Sequence, residues 1–326
     1  MGPLGVADLA ARSAGAAAAA LARRALRGPR RPGWSLRTEL AASLMRATVM
    51  RSKRKGIAWL REAQAALPVR VTHAAEVAFE PVRLGGVPGL ACSPRAGAAE
   101  RTVLYLHGGG YVLGSAEAYR DLLARIALGA DARVVAVDYR LAPEHRFPAQ
   151  QDDCLAAARA LLAEAPPARL ALAGDSAGGA LAVATLCALR DAGEALPAAA
   201  VLLCPWTEPW AAGGSMERNA DADFADRALL VSWAEATAGD PRDPRLTLTG
   251  ASLAGLPPLL VQVGGAELLY DQVQRFAAQA RAAGVAVELE EYAEMFHDFQ
   301  LQAALLPEGA AALEAAGRFL RKQLPG

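Results

Sequence analysis

The run Leu170-Ala-Leu-Ala-Gly-Asp-Ser-Ala-Gly-Gly179 constrains the fold more than any other stretch of the chain. Leu170 to Ala173 reads as a short apolar strand. Ala180 to Arg190 reads as a helix that stops at Gly193, a suitable C-cap. Between them stand Gly174, Ser176 and Gly178 in a Gly-x-Ser-x-Gly pattern. A chain that passes from strand to helix in so few residues turns sharply, and the residue at the corner takes a strained backbone conformation. Side chains two positions either side of Ser176 would strike the strand and the helix, which is the steric reason for the glycines. Such a corner holds a serine hydroxyl exposed at the end of a sheet. Short Gly-x-Ser-x-Gly matches also arise by chance, so the surrounding chain has to support the reading.

It does so by alternation. Val77–Val82 and Gly89–Ser93 flank Gly85-Gly86 and predict a hairpin. Thr102–Leu106, Arg133–Asp138, Leu170–Ala173, Ala199–Cys204, Pro258–Val263 and Val285–Tyr292 read as further strands, with helical stretches between them. Continuous apolar runs such as Thr102–Leu106 belong to strands covered on both faces, so the expected core is a mainly parallel sheet with helices on either side. Residues 1 to about 67 read as helices broken at the Gly-Pro-Arg-Arg-Pro-Gly segment 28–33, and residues 205 to about 240 as irregular and helical. All five tryptophans fall in these two regions, at 34, 59, 206, 210 and 233. That distribution predicts that the two regions form a cap over one edge of the sheet, with Trp206 and Trp210 facing a pocket.

Composition narrows the function classes. Lys+Arg and Asp+Glu balance at 34 each, so no net field draws the chain to nucleic acid or an anionic surface. The local basic runs, Arg23 to Arg31 and Arg51 to Lys55, read as solvated helix faces and linkers. Cysteines at 92, 154, 187 and 204 lack metal-site or disulfide spacing and read as buried free thiols in a reducing compartment. The Ala14 to Ala22 run is too short to span a bilayer, and Asp8 precedes any basic residue, unlike a secretory leader. The expected location is the cytoplasm, without stable membrane insertion.

Three residues assemble an acyl-transfer chemistry around Ser176. A serine hydroxyl needs a neighbouring base. Of the four histidines, at 73, 107, 145 and 297, only His297 follows Ser176, as the order serine–acid–histidine on such a sheet requires. The acid should follow Leu259–Val263, which leaves Glu267 and Asp271. Glu267 lies on the loop and is the expected partner; Asp271 falls in the next helix, where a cap or salt bridge is the plainer role. Three glycines after strand Thr102–Leu106 leave backbone N–H groups unshielded. Gly108 and Gly109, with Ala177, are the expected donors to an oxyanion, each worth on the order of 2.7–4 kcal/mol of barrier. A phosphate loop is excluded, since neither Gly-x-Gly-x-x-Gly nor a P-loop lysine is present. Tyr111 is expected at the pocket. Asp175 is expected to brace the corner, and Arg140 to pair with Glu144.

Taken together, His107-Gly-Gly-Gly-Tyr111, Asp138-Tyr-Arg-Leu-Ala-Pro-Glu144, Gly174-Asp-Ser-Ala-Gly-Gly179 and His297-x-Phe299 resemble the hormone-sensitive-lipase-like branch of the α/β-hydrolases, the bacterial family IV esterases. The resemblance runs from about residue 75 to the end, and less distinctively through a helical cap before it. It implies an α/β-hydrolase fold with a central sheet of about eight strands, a cap segment over 1–70, a catalytic domain over 71–326 and a cap insertion at about 205–240. It implies hydrolysis of short- to medium-chain acyl esters through an acyl-enzyme intermediate, with a small-molecule ester as the partner and no metal or organic cofactor. Members of the family often dimerise through the last strand, here Val285 to Tyr292. The chain departs from the family at the acid: Glu267 falls where an aspartate is usual, if Asp271 matches that motif's closing aspartate. The alternatives are a small-molecule receptor, against which the presence of His297 counts, or an amidase, lactonase or acyltransferase with the same three residues.

Overall fold

The structure is a computed structural model that describes residues 3–96 and 100–326, with side chains from Ser13 onward. Helices α1 (Pro3–Arg27), α2 (Leu36–Val49), α3 (Ser52–Lys55) and α4 (Ile57–Ala65) precede the sheet. The sheet region then runs β1 (Val77–Leu84), β2 (Val87–Pro94), β3 (Arg101–Leu106), α5 (Arg120–Ala130), β4 (Ala132–Val137), α6 (Ala149–Glu164), β5 (Leu170–Asp175) and α7 (Ser176–Asp191). It continues through β6 (Ala199–Leu203), α8 (Ser215–Arg218), α9 (Arg227–Ala238), β7 (Leu259–Gly264), α10 (Tyr270–Ala282), β8 (Val287–Tyr292) and α11 (Pro307–Gln323).

The eight strands form one sheet in the order β1-β2-β4-β3-β5-β6-β7-β8. The expected hairpin closes with Leu84 opposite Val87 across Gly85-Gly86, both at positive φ, as a two-residue hairpin turn requires. β1 and β2 are antiparallel and the other six strands parallel. Alternation sends Leu104 and Leu106 of β3 to one apolar cluster and Val103 and Tyr105 to the other, so each face of the sheet carries its own core. β3 and β5 are adjacent at the centre, with Leu106 opposite Gly174. The glycine loop and the serine corner therefore leave the sheet side by side.

At that corner a Cβ on Gly178 would meet the Leu106 carbonyl oxygen at 1.9 Å, and one on Gly174 would meet the Gly178 carbonyl at 2.5 Å. No rotamer relieves a clash with backbone. Gly178→Ala is expected to cost more than about 3 kcal/mol, the upper end for overpacking, read as a fall in urea midpoint.

The N-terminal helices are anchored to the insertion at 223–226 and to the turn after β8. Arg46 donates to the carbonyls of Asp223 and Ala225, Lys53 pairs with Asp226 at 2.8 Å, and Trp34 donates to the Glu294 carbonyl. The basic runs are less solvated than their composition implies. Arg23, Arg24 and Arg30 converge on Glu39, whose side chain is completely buried. The expected Arg140–Glu144 pair does not form. Arg140 is bidentate on Asp153, and Glu144 takes both guanidinium nitrogens of Arg61 at 3.0 Å from helix α4. Sequence proximity favoured the wrong partner, because Asp153 of α6 takes Arg140 and Arg61 of α4 takes Glu144. Among the described residues no helix is long and apolar enough to cross a membrane.

Candidate active site

Ser176 is the first residue of α7 and has φ +50°, the left-handed region a serine enters only when its surroundings force it. Its Oγ lies 2.9 Å from Nε2 of His297, which arrives 121 residues later in the turn after β8. That turn is held from the N-terminal segment: the Trp34 ring meets Phe296 edge-on at 6.1 Å. Glu267 sits in the loop after β7, fully buried. Its Oε2 accepts from the Gly264 N–H at 2.9 Å and its Oε1 lies 3.5 Å from His297 Nδ1. Asp271 is elsewhere. It accepts from the Ser215 N–H and pairs with Arg218, both at 2.8 Å, and is partly exposed. The structure thus brings Ser176, His297 and Glu267 together and leaves Asp271 in the cap-and-bridge role.

The glycine loop requires a correction. The Gly108 N–H, an expected oxyanion donor, is already engaged: it donates to Asp175 Oδ1 at 2.9 Å, with the Tyr119 hydroxyl oxygen 3.1 Å away. Gly108 is a glycine because a Cβ would fall 2.2 Å from Asp175 Oδ2. The unengaged N–H groups are those of Gly109 and Gly110, for which no protein acceptor is found among the described residues. Ala177 lies in the first turn of α7, where N–H groups have no intrahelical acceptor. Gly109, Gly110 and Ala177 are therefore the available donors. Gly110 has φ +61°, and a Cβ there would strike Trp233 Cε3 at 2.4 Å.

Trp206 donates its backbone N–H to the Ser176 carbonyl at 2.8 Å, and its ring stacks on Tyr111 at 5.8 Å. Both are buried beside the corner. No described contact brings the half-buried ring of Trp210 to the site; its carbonyl accepts from Arg227. Trp233 is the tryptophan that packs against Gly110. The fully buried His107 does not face Ser176. Its ring stacks on Tyr139 at 4.3 Å and its Nδ1 is 2.8 Å from the Gly108 carbonyl, while burial lowers its basicity. It braces the loop. Asp175 accepts from the hydroxyls of Tyr105 and Tyr119, so it holds β3, β5 and the loop together.

Three carboxylates, Asp298, Glu267 and Asp223, act on His297. Burial pushes Asp223 up to about 6; its oxygens accept from the N–H groups of Phe224 and Leu268. Burial also raises Asp298, whose Oδ2 is 3.3 Å from His297 Nε2. For His297 burial works in the opposite direction, but the negative charges of Asp298, Glu267 and Asp223 outweigh it and raise the imidazole above its usual value. Asp223 and Asp298 were not singled out from sequence. Asp298 had a signal, a carboxylate directly following the catalytic-type histidine; Asp223 had none, since it comes from the insertion. Cys204 was also missed. It leaves β6 at φ +46°, and its sulfur, Glu267 and His297 lie within 4.8 Å of one another. Burial, then the nearby Glu267 and Asp298 charges, keep it a thiol rather than a metal-binding thiolate, and that thiol donates to Gln300 Oε1 at 3.7 Å.

A parallel sheet with a serine on a strained strand-to-helix corner and a histidine from the last turn facing it has the architecture of an α/β-hydrolase. A family profile described as alpha/beta hydrolase fold matches residues 103–301. An acetyl-hydrolase of Streptomyces hygroscopicus is 48% identical over 225 residues, 68% of this chain and 75% of that protein. A putative acetyl-hydrolase of Mycobacterium tuberculosis is 34% identical over 296 residues, 89% of this chain and 96% of its own. The crystal structure of an esterase from the bacterial hormone-sensitive lipase family superposes with a TM-score of 0.84 at 40% identity, covering 90% of this chain and 100% of that one. The chain belongs to the hormone-sensitive-lipase-like branch of the α/β-hydrolases and is a carboxylic ester hydrolase.

Proposed function

We propose that the protein is a serine carboxylesterase acting on short- to medium-chain acyl esters through an acyl-enzyme. The observation that carries this reading is the 2.9 Å approach of His297 Nε2 to a Ser176 hydroxyl held on a strained corner. In the first step neutral His297 takes the hydroxyl proton as Oγ attacks the ester carbonyl. The N–H groups of Gly109, Gly110 and Ala177 meet the oxyanion, whose charge is largest in the transition state. The imidazolium then protonates the leaving alcohol. In the second step His297 deprotonates a water, which attacks the acyl carbonyl, and Ser176 leaves with its proton restored. Glu267 holds the ring and stabilises its positive form.

Acyl length is set by the aromatic wall in this reading. A narrow cleft beside Tyr111 is bounded by Phe147, Leu181, Leu246 and Leu248, with Ala180 and Ala184 of α7 along its floor. In this reading the segments 3–70 and 205–240 form a cap over the C-terminal edge of the sheet. The four unpaired cysteines accord with a reducing, cytoplasmic setting.

A p-nitrophenyl ester series from acetate to palmitate tests the assignment. kcat/KM is expected to peak at butyrate or hexanoate and to fall at least about tenfold, or about 1.4 kcal/mol, by palmitate. Trp206→Ala is expected to move the optimum to a longer chain. A flat profile would contradict a pocket limited by that wall, and no turnover of any ester would favour a receptor.

A further inference from the structure

The imidazole of His297 has two claimants on one nitrogen. Nε2 is 2.9 Å from Ser176 Oγ and 3.3 Å from Asp298 Oδ2. The second contact is imposed by the backbone: Asp298 sits at φ +52°, ψ +33°, and this left-handed residue turns its carboxylate back onto its neighbour's ring. The residue is 5% exposed, and its other carboxylate oxygen, Oδ1, has no hydrogen-bond partner among the described residues. A buried carboxylate whose one close polar contact is an ion pair is costly, and a cation beside it offsets the cost.

The surrounding groups supply no such cation apart from the imidazole. Glu267 faces Nδ1 from the loop after β7, Asp223 comes from the insertion, and Asp175 stands at the end of β5 with the hydroxyls of Tyr105 and Tyr119 on it. Cys204 contributes a neutral thiol from the end of β6, and Ser176 a hydroxyl. Among the described residues no lysine or arginine forms an ion pair with any of these four carboxylates. Every charged neighbour therefore favours the imidazolium, and Asp298 is the one placed on the nitrogen that must be free to receive the serine proton.

We propose that Asp298 is a positioning residue that competes with Ser176 for His297 Nε2, holding the free enzyme in a proton-shared, resting pair that opens as pH rises. This rests on His297 being the base. The sign follows directly. Only neutral imidazole accepts the serine proton, a carboxylate on Nε2 stabilises the protonated ring, and so less of the enzyme is competent at low pH. With Asp298 neutralised, the competent form persists to lower pH. The fold thereby places an alkaline bias on a hydrolase through a residue that need not touch the ester.

The test is the pH dependence of kcat/KM for p-nitrophenyl butyrate in wild type, Asp298→Asn and Asp298→Gly. Both replacements tolerate a left-handed backbone. The acid limb of each variant is expected about one pH unit below that of wild type. One unit below the wild-type midpoint, that is a gain of about fivefold relative to each plateau. An acid limb that stays in place, or rises, in a folded variant overturns the proposal. Should both variants fail to fold, the imidazole of His297 is followed by nitrogen NMR in histidine-labelled wild type. A ring still protonated at neutral pH supports the pair, and a neutral ring there overturns it. His297→Ala separates the underlying reading from this one: an active His297→Ala enzyme removes the base itself, whereas an inactive one beside an unmoved Asp298→Asn limb removes only the role of Asp298.

Discussion

Ser176→Ala is expected to lower kcat for p-nitrophenyl butyrate by on the order of 10⁴–10⁶-fold while the protein keeps its circular dichroism spectrum and urea midpoint. The size follows from the chemistry. Without Oγ no acyl-enzyme forms, and what remains is water attack assisted by the N–H groups of Gly109, Gly110 and Ala177. The intact fold follows from the structure. Removing one oxygen from a residue that is 6% exposed opens little space. Alanine accepts the same positive φ no worse than serine, and the backbone bond from Trp206 to the Ser176 carbonyl does not depend on the side chain. Retained turnover in a folded Ser176→Ala protein would place the reaction elsewhere.

The second large effect separates two carboxylates that sequence alone left close together. Glu267→Gln is expected to lower kcat by on the order of 10³–10⁴-fold, because a neutral amide neither fixes the Nδ1–H tautomer nor stabilises the imidazolium. Asp271→Asn is expected to change kcat less than about threefold and stability by no more than about 1 kcal/mol, since its partner Arg218 is exposed and its remaining bond is to one backbone N–H. Steady-state kinetics with thermal melts on the two variants reads both effects. A larger loss of kcat for Asp271→Asn would reverse the assignment of the acid.

Much of this architecture was legible because it depends on local patterns. The strand, corner and helix around Ser176 are contiguous, and β3 with its three glycines is another contiguous unit. His297 could be selected by order alone. What escaped was whatever depends on partners from distant segments. Which glycine N–H is available depends on Asp175 of another strand reaching Gly108, so the donors shift one residue along, from Gly108 and Gly109 to Gly109 and Gly110. Glu144 finds Arg61 from a helix more than eighty residues earlier rather than its neighbour Arg140. Trp233 could not be ranked above Trp210, because the packing of α9 onto Gly110 has no short-range signature. Asp298 was visible but unassigned, since its role comes from a backbone angle and not from residue type.

The most direct test traps the intermediate. Enzyme mixed with p-nitrophenyl acetate is quenched in acid within the first turnovers, digested, and the acetyl group located by peptide mass spectrometry. The acetyl mass should appear on the peptide containing Ser176 and be absent from that peptide in His297→Ala protein quenched at the same time. An acetyl group on a different residue, or undiminished labelling of Ser176 without His297, would contradict the account.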